Sequence, residues 1–391
     1  MANPLTRFFM ARENVQIAST SAELEAIYRL RYDVYVKEKG WVDCGEDHER
    51  RRLADTYDAT TSARQLYVGA LADLKGTARL LVFDAGHVPA KWVDMYGLDR
   101  FPGVDRLRVA EVGRFAIRKD CRGGAVMPAL ILFGFNHLIG PDKVDLIFCE
   151  CRPSMVRHYR KMGFRPYSAP MIRDADGLQV PLVGVPSDAA YLKSVDAIIR
   201  DDAARHFRRG GRPPLDLAPF QHLFAEDNQR VELESHQVLA AVEDSLQAPD
   251  AAVSPDELSP EVFEQATKHG YVLKIEPGDL LVEEGRAERE AYLIVSGELE
   301  VLSAGHRIRV LGAGHLFGEM AYFLEDGRRT ATVRAVSAAR VLVLDRRFLD
   351  DLHRDAPDAA YRMLHLIGRS LATRLQAATP TLSAAAAAGR P

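Results

Sequence analysis

The sequence predicts two folded units: an α/β domain in its first half and an antiparallel β-roll with trailing helices in its second. Three observations carry that prediction. At 391 residues the chain is too long for one ordinary core. From about Ala22 to Gly184, the extended runs QLYVGAL, TARLLVF, VAEVGRFAI and VDLIFCE alternate with helix-like segments, the pattern of a sheet with helices on its faces. From Val262 to Val343 the texture changes to short strands such as YVLKIEP, AYLIVSGELEVL and ARVLVLD, separated by glycines as in a roll or barrel.

In chain order, residues 1–186 are expected to form the α/β domain. Its N-terminus, MANPLTRFFMARENV, lacks the long apolar core of a signal peptide. Its most apolar segment, Ala125 to Gly140, is interrupted by Pro128, Asn136 and His137. That falls short of the roughly twenty apolar residues of a membrane span, so the segment reads as a buried core helix. The cysteines Cys44, Cys121, Cys149 and Cys151 show no repeated CxxC spacing. They point to reduced thiols in a cytoplasmic protein, and no metal site is expected.

Residues 187–261 read as a helical region and linker. RHFRRGGRPP breaks the helices at Gly210 and Gly211, and Leu246 to Glu261 is rich in Pro, Ala, Ser and acidic residues. Residues 262–376 hold the roll and its helical end, where Tyr361, Leu364, Ile367 and Leu371 are expected to share an apolar face. Residues 377–391 read as a disordered low-complexity tail. Hydrophobic residues at 47% and charged residues at 27% match a soluble globular protein. A net charge of -4 argues against nucleic acid as a partner.

The stretch Phe317 to Ala335, FGEMAYFLEDGRRTATVRA, sets a carboxylate beside a glycine and an arginine ten residues later. A plain roll needs neither. A small phosphate needs both a fixed counter-charge and amide donors, because it loses water on entering a pocket. A turn of helix starting at Gly318 and Glu319 would aim N–H groups at such an anion. Arg329 would add a two-pronged, charge-assisted contact.

Together with Gly278, Gly285, Gly297, Gly312, Gly314 and the trailing helices, these motifs make residues 262–376 resemble the cyclic-nucleotide-binding domain. The resemblance implies Glu319 for the ribose hydroxyl and Arg329 for the phosphate. It implies the backbone of Gly318, Met320 and Ala321 for the remaining phosphate oxygens, with Thr330 as a further contact. Thr330 leaves cAMP and cGMP both open. A roll that has lost its ligand, with Glu319 and Arg329 as a simple ion pair, is the competing reading. No helix-turn-helix follows the roll, so the output of this sensor is expected upstream.

Upstream, VRHYRKMGFRPY follows the strand VDLIFCE, and the series RLRYDVYVKEKGW, DTYD, TARLL and EVGRF precedes it. The first resembles GNAT-type acyltransferases. The series resembles acyl-homoserine-lactone synthases and the related long-chain N-acyl amino acid synthases. The family pattern falls on Arg31, Tyr35, Trp41, Asp55, Asp58, Arg79, Glu111 and Arg114. The resemblance implies an N-acyltransferase that moves an acyl group from acyl carrier protein or CoA to an amine. Substrate contacts are implied for Arg31, Tyr35, Trp41, Asp55, Asp58 and Arg79. Asp55 and Asp58 read equally as turn-capping residues, Arg31 and Arg79 as their ion-pair partners, and Trp41 as an apolar wall.

Amide formation needs a base for the amine and donors for the oxyanion. Glu111 is the candidate base; Phe115 and Ile117 on the same strand, with Arg122, Gly123 and Gly124 in KDCRGGAVMPA, are the candidate thioester site. The loop departs from the acetyl-CoA pattern at Ala125, Met127 and Pro128. Glu111 and Arg114, three apart, lie on opposite faces of a regular strand, and only a bulge would join them. Tyr159 is the candidate acid for the leaving thiolate, or a packing residue. The amine stays open among S-adenosylmethionine, a free amino acid and a protein lysine. A cAMP-gated lysine acetyltransferase and a non-catalytic sensor are the alternatives. An acyl carrier protein partner, membrane-surface contact and a homodimer stay open as well.

Overall fold

A computed structural model describes residues 8–9, 12–41, 44–174, 177–208, 213–225, 230–232, 270–286, 290–320, 328–344, 346–365, 367–369, 371–372 and 376. The chain divides into two compact units, Met1–Gln229 and Arg230–Pro391. The expected linker at 246–261, the tail at 377–391 and Ala321 lie outside the described residues.

The first unit is built on one twisted sheet. Its strands are β1 (Val15–Ile17), β2 (Ala63–Ala70), β3 (Asp73–Phe83), β4 (Val109–Ile117), β5 (Leu146–Cys151), β6 (Phe164–Pro166), β7 (Ile172–Asp174) and β8 (Gly177–Gly184). The order is β1-β2-β3-β4-β5-β8-β6, with β7 paired to β8. Only β4 and β5 run parallel, and their pairing covers just three residues, Val109↔Leu146 to Glu111↔Phe148. Beyond that point the two strands part while both continue.

The helices are α1 (Ser21–Arg31), α2 (Ala90–Tyr96), α3 (Val126–Ile139), α4 (Val156–Met162), α5 (Ala189–Ser194) and α6 (Arg200–Arg208). α1 starts with a capping box, Thr20 accepting from the Glu23 amide while Glu23 accepts from the Thr20 amide. It runs on as a π-helical stretch, Tyr32–Glu38, which carries Tyr35. α3 is the apolar segment read from sequence, and it buries Leu130, Leu132, Phe135 and Leu138 against Leu66, Leu80 and Ile147 of the sheet. Each such side chain contributes roughly 1.5–3 kcal/mol. α2 covers the opposite face with Trp92 and Tyr96.

Of the region 187–261 read as helical and linking, the described residues 187–208 and 213–225 fall in the first unit. Leu192, Ile199 and Ala203 pack with α3, whereas Phe220 and Leu223 pack with Phe101 and Phe148 on the other face. Short helices with two or three buried apolar residues each look like linker in a sequence, and only docking shows what they cover.

The second unit pairs two antiparallel sheets. β9 (Val231–Glu232), β10 (Tyr271–Ile275), β12 (Ala291–Ser296), β15 (Leu316–Phe317) and β17 (Ala339–Leu344) form one, in the order β9-β10-β17-β12-β15. β11 (Leu280–Val282), β13 (Leu299–Ser303), β14 (His306–Leu311) and β16 (Thr332–Ala335) form the other, ordered β11-β16-β13-β14. The unit starts at the edge strand β9, upstream of the position 262 expected for the roll. Helix α7 (Arg346–Asp355) and a helical stretch at 357–365 close the core with Phe348, Leu352, Ala360, Met363 and Ile367. Of the expected apolar face, Ile367 is buried in this core and Leu371 packs against it, whereas Tyr361 is 71% exposed and Leu364 is exposed too, with Met363 buried in their place. Residues 360, 363 and 367 share a stripe at helical spacing, and 361 and 364 lie a third of a turn or so off it.

Among the described residues no helix is long and apolar enough to cross a membrane. No group of three or more His, Cys, Asp or Glu there is placed to hold a metal ion.

Candidate functional site

The centre of the first unit is β4. Opposite Thr77 and Arg79 of β3 stand Ala116 and Gly113, so the single residue Ala78 faces both Arg114 and Phe115. That is a β-bulge, and Arg114 adopts φ 52° within it. The extra residue turns Arg114 to the face that carries Glu111 and Arg79. Tyr35 holds the bulge from outside, its hydroxyl donating to the Phe115 carbonyl at 2.8 Å.

A buried charge network results. Arg79 donates to both oxygens of Asp55 at 2.8 Å and to Asp58 at 3.1 Å, and its other nitrogen lies 3.7 Å from Glu111. Arg114 reaches Asp55 at 3.0 Å. Arg31 pairs with Asp58 at 2.9 Å and donates to Gln65, which in turn donates to Asp58 at 2.8 Å. Removing one partner of such a buried pair strands the other without water, which is why the set holds together as a unit. Burial pushes the Asp55 carboxyl up, but the Arg79 and Arg114 guanidiniums win and hold it below the usual carboxylate range.

Glu111 is the exception. Burial raises its carboxyl and the Arg79 guanidinium lowers it, while Glu150 raises it again; the balance leaves it at about 7. Its Oε2 has no hydrogen-bond partner among the described residues. Gly113 makes room for it, since a Cβ built there would lie 2.2 Å from Glu111 Oε1.

A cavity of about 1470 Å³ is lined by residues from both faces of the sheet, where β4 and β5 no longer pair. Its polar part includes Asp55, Arg79, Glu111, Arg114 and Glu150; its apolar part includes Leu66, Leu80, Leu130, Gly134 and Leu138, the last three from α3. Tyr35 and Trp41 lie on its wall with ring centroids 4.4 Å apart and planes tilted by 30°. Tyr159 and Phe115 line it as well. Burial, with Cys149 and Cys151 nearby, holds the Tyr159 phenol well above its ordinary value and therefore protonated.

Several expected contacts lie elsewhere. Arg31 and Asp58 are sealed beneath the wall and do not line the cavity, because each is consumed by the other and by Gln65. Asp58 Oδ2 also caps the turn by accepting from the Asp55 amide at 2.8 Å. Ile117, Arg122, Gly123 and Gly124 do not line it either. Arg122 donates to the Ile117 carbonyl at 3.0 Å and grips Glu38 with both terminal nitrogens at 2.5 and 2.7 Å, tying the loop to the π-helical stretch.

The reading from sequence passed over Glu150, Tyr96 and Gln179. Tyr96 donates its hydroxyl to Glu150, and Gln179 is buried on the cavity wall. A carboxylate closing the apolar run VDLIFCE and an amide inside GLQVPLVG are the signals that mark them, since buried polar side chains need a reason.

In the second unit Glu319 is 2% and Arg329 4% exposed. Arg329 donates to the Gly318 carbonyl at 3.0 Å, approaches Glu290 at 3.5 Å and lies 5.4 Å over the Tyr292 ring. Its own backbone is clamped on both sides, its amide to Arg286 and its carbonyl to Gly285, each at 2.8 Å. Gly318 has φ 76°, and a Cβ there would meet the Arg329 guanidinium at 2.9 Å. Met320 and Thr330 are exposed beside one another, Thr330 Oγ1 lying 3.8 Å from the Met320 sulfur. A buried guanidinium and carboxylate beside a left-handed glycine suit a small phosphate ester.

Known proteins divide along the same boundary. Residues 26–188 match the family model described as N-acyl amino acid synthase FeeM, and residues 272–356 match that of the cyclic nucleotide-binding domain. The cGMP-dependent protein kinase isozyme 1 of Drosophila melanogaster is 39% identical over 83 residues, which is 21% of this chain and 11% of that protein. The potassium/sodium hyperpolarization-activated cyclic nucleotide-gated channel 3 of Homo sapiens is 46% identical over 69 residues, 18% of this chain and 9% of the channel. The chain therefore spans about a tenth of the length of these curated relatives. The structure of FeeM, from uncultured soil microbes, covers 49% of this chain and 98% of its own at 16% identity and a TM-score of 0.38. A cyclic nucleotide-binding domain of Methylobacillus flagellatus covers 38% of this chain and 81% of its own, at 21% identity and a TM-score of 0.31.

The two matched families define the class: an N-acyltransferase domain of GNAT-like fold joined to a cyclic nucleotide-binding roll with helices at its end. More narrowly, the match of the first domain is to the N-acyl amino acid synthase FeeM model, over residues 26–188.

Proposed function

We propose that this protein transfers a long acyl chain from a thioester, on acyl carrier protein or CoA, to the amine of an amino acid, under control of a cyclic nucleotide. The observation that carries the reading is Glu111, a buried carboxylate in the polar part of a cavity that is apolar elsewhere. An acetyl group has no use for that apolar length, which favours a long chain over lysine acetylation.

The chemistry follows from the geometry. With the acyl chain under α3, the thioester carbonyl rests at the gap between β4 and β5. Glu111, ionised, takes a proton from the acceptor ammonium, and the freed nitrogen attacks the carbonyl carbon. The C–N bond forms, the tetrahedral intermediate collapses, the C–S bond breaks and Tyr159 donates a proton to the leaving thiolate; the nitrogen gives up its second proton to the Tyr159 phenolate as the amide forms, which restores the phenol and leaves the first proton on Glu111 for release to water. Arg79 keeps Glu111 in place, and Asp55 holds Arg79 and Arg114 together.

In the second domain Arg329 would hold the phosphate and Glu319 would accept from the ribose hydroxyl. Regulation then amounts to a coupling free energy, typically about 1–3 kcal/mol. The full chain, incubated with a palmitoyl thioester and a mixture of amino acids, tests the reading. Mass spectrometry is expected to find an N-acyl amino acid whose yield changes about 5–150-fold with cAMP or cGMP. Thioester that stays intact under every combination overturns it.

Gly113→Ala is expected to slow this transfer by at least about tenfold, as a 1 Å misplacement of a catalytic group can cost more than that. The added methyl must displace the Glu111 carboxylate, which is buried and cannot swing into water. Steady-state turnover checks it.

A further inference from the structure

The Glu111 face of the sheet carries charge in a definite order. Glu111 pairs with Phe148 across the parallel strands, so Glu150, two residues on, shares that face. Tyr96 fixes Glu150 by donating its hydroxyl from α2. Two residues further, about 7 Å along the strand direction, Arg152 lines the same cavity. The register of β5 with β8 runs Pro181↔Glu150 and ends at Val180↔Cys151, so Arg152 and Gln179 are the next residues on either side of the last pair, and Gln179 itself pairs with Ile172 of β7. Gln179 lines the cavity, is 3% exposed, and its Nε2 has no hydrogen-bond partner among the described residues. A sealed amide donor of this kind is costly unless something accepts from it.

From Glu111 and Glu150 to Arg152 and Gln179 the wall thus passes from two carboxylates to a guanidinium and an unmatched donor. A zwitterion complements that order, with its ammonium at the acidic end and its carboxylate at the other. A lysine side chain or a simple amine offers the ammonium alone and leaves the Gln179 amide unmatched.

We infer that Gln179, with Arg152, forms a carboxylate subsite that seats a free α-amino acid with its ammonium toward Glu111 and Glu150. The inference rests on the acyl-transfer reading for the identity of the cavity, but binding without turnover can test it separately. The full chain is titrated by calorimetry and saturation-transfer NMR, with no thioester present, against the twenty common amino acids. The tightest binder is then compared with its primary amide and its decarboxylated amine.

The wild type is expected to prefer the amino acid over both by about 10- to 100-fold, the scale of a hydrogen bond to a charged group. Gln179→Met, of similar shape, is expected to erase that preference by weakening the amino acid alone. Gln179→Glu is expected to invert it, so that the decarboxylated amine binds better. A merely structural role for Gln179 would weaken all three ligands alike. Equal affinities in the wild type, no binding by any amino acid, or a parallel loss in both variants overturns the inference. If the preference and its inversion appear but no acyl transfer occurs, the subsite stands and the catalytic reading falls.

Discussion

Glu111→Gln is expected to lower amide formation by about three orders of magnitude, within the range for loss of a positioned general base. The glutamine keeps the shape and can still face Arg79, so the loss reports proton transfer rather than packing. A second readout is the pH profile. A general base at Glu111 would act only when ionised, so wild-type kcat/KM is expected to climb with pH through about 7. The variant is expected to lack that limb.

Stability is expected to move the other way. The folded protein holds the Glu111 proton up to about 7, whereas the unfolded chain releases it near the ordinary value of 4.5. The folded state therefore binds more protons between those values, and stability falls as pH rises through that window. The loss is on the order of 3 kcal/mol above pH 7. Glutamine cannot ionise, so the variant is expected to melt higher than the wild type at pH 8 and close to it near pH 4.5. Thermal melts at the two pH values check this, and identical shifts at both would rule out a buried, proton-holding Glu111.

Arg329→Gln is expected to abolish cyclic-nucleotide binding at concentrations that saturate the wild type. Truncating one side of a buried, hydrogen-bonded charge pair costs about 2–5 kcal/mol, or roughly 30- to several thousand-fold in Kd. The clamp on the Arg329 backbone, made by Arg286 and Gly285, does not depend on the side chain, so the roll is expected to keep its fold. Calorimetry with cAMP and with cGMP measures the loss, and circular dichroism verifies the fold. Unchanged affinity for both would remove Arg329 from the phosphate site.

How far the sequence could be read depended on whether a signal was local. The apolar run in Ala125 to Gly140 announced α3, and the glycine-divided strands announced the roll, because helix and strand periodicities are written into neighbouring residues. The face of the last helices was misread at Tyr361 and Leu364 because both are large and apolar, whereas the core accepted the smaller Ala359 and Ala360 with Met363. Pattern gives a stripe; the partner surface decides which stripe is buried.

The sheet face that carries Glu111 shows the same division. Glu111 and Arg114 stood out in EVGRF, yet three residues of a regular strand set them on opposite sides. Only the bulge opposite Ala78, with Arg114 at φ 52°, brings both to one face. Arg31 and Asp58 were visible as charges, but their mutual pairing beneath the wall arises across 27 residues and could not be seen along the chain. Glu150 and Gln179 come from neighbouring strands and line one cavity because β5 pairs with β8, and Tyr96 reaches Glu150 from a helix.

On its own, the sequence determined the two folded units and their order, and singled out candidate residues for thioester and phosphate chemistry, since composition, periodicity and short motifs are carried by neighbours in the chain. The tertiary structure alone decided which charges neutralise one another, which carboxylate keeps its proton near neutrality, and where the cavity turns from polar to apolar. Those outcomes depend on through-space distance and on water excluded by residues far apart in sequence, and neither quantity is encoded locally.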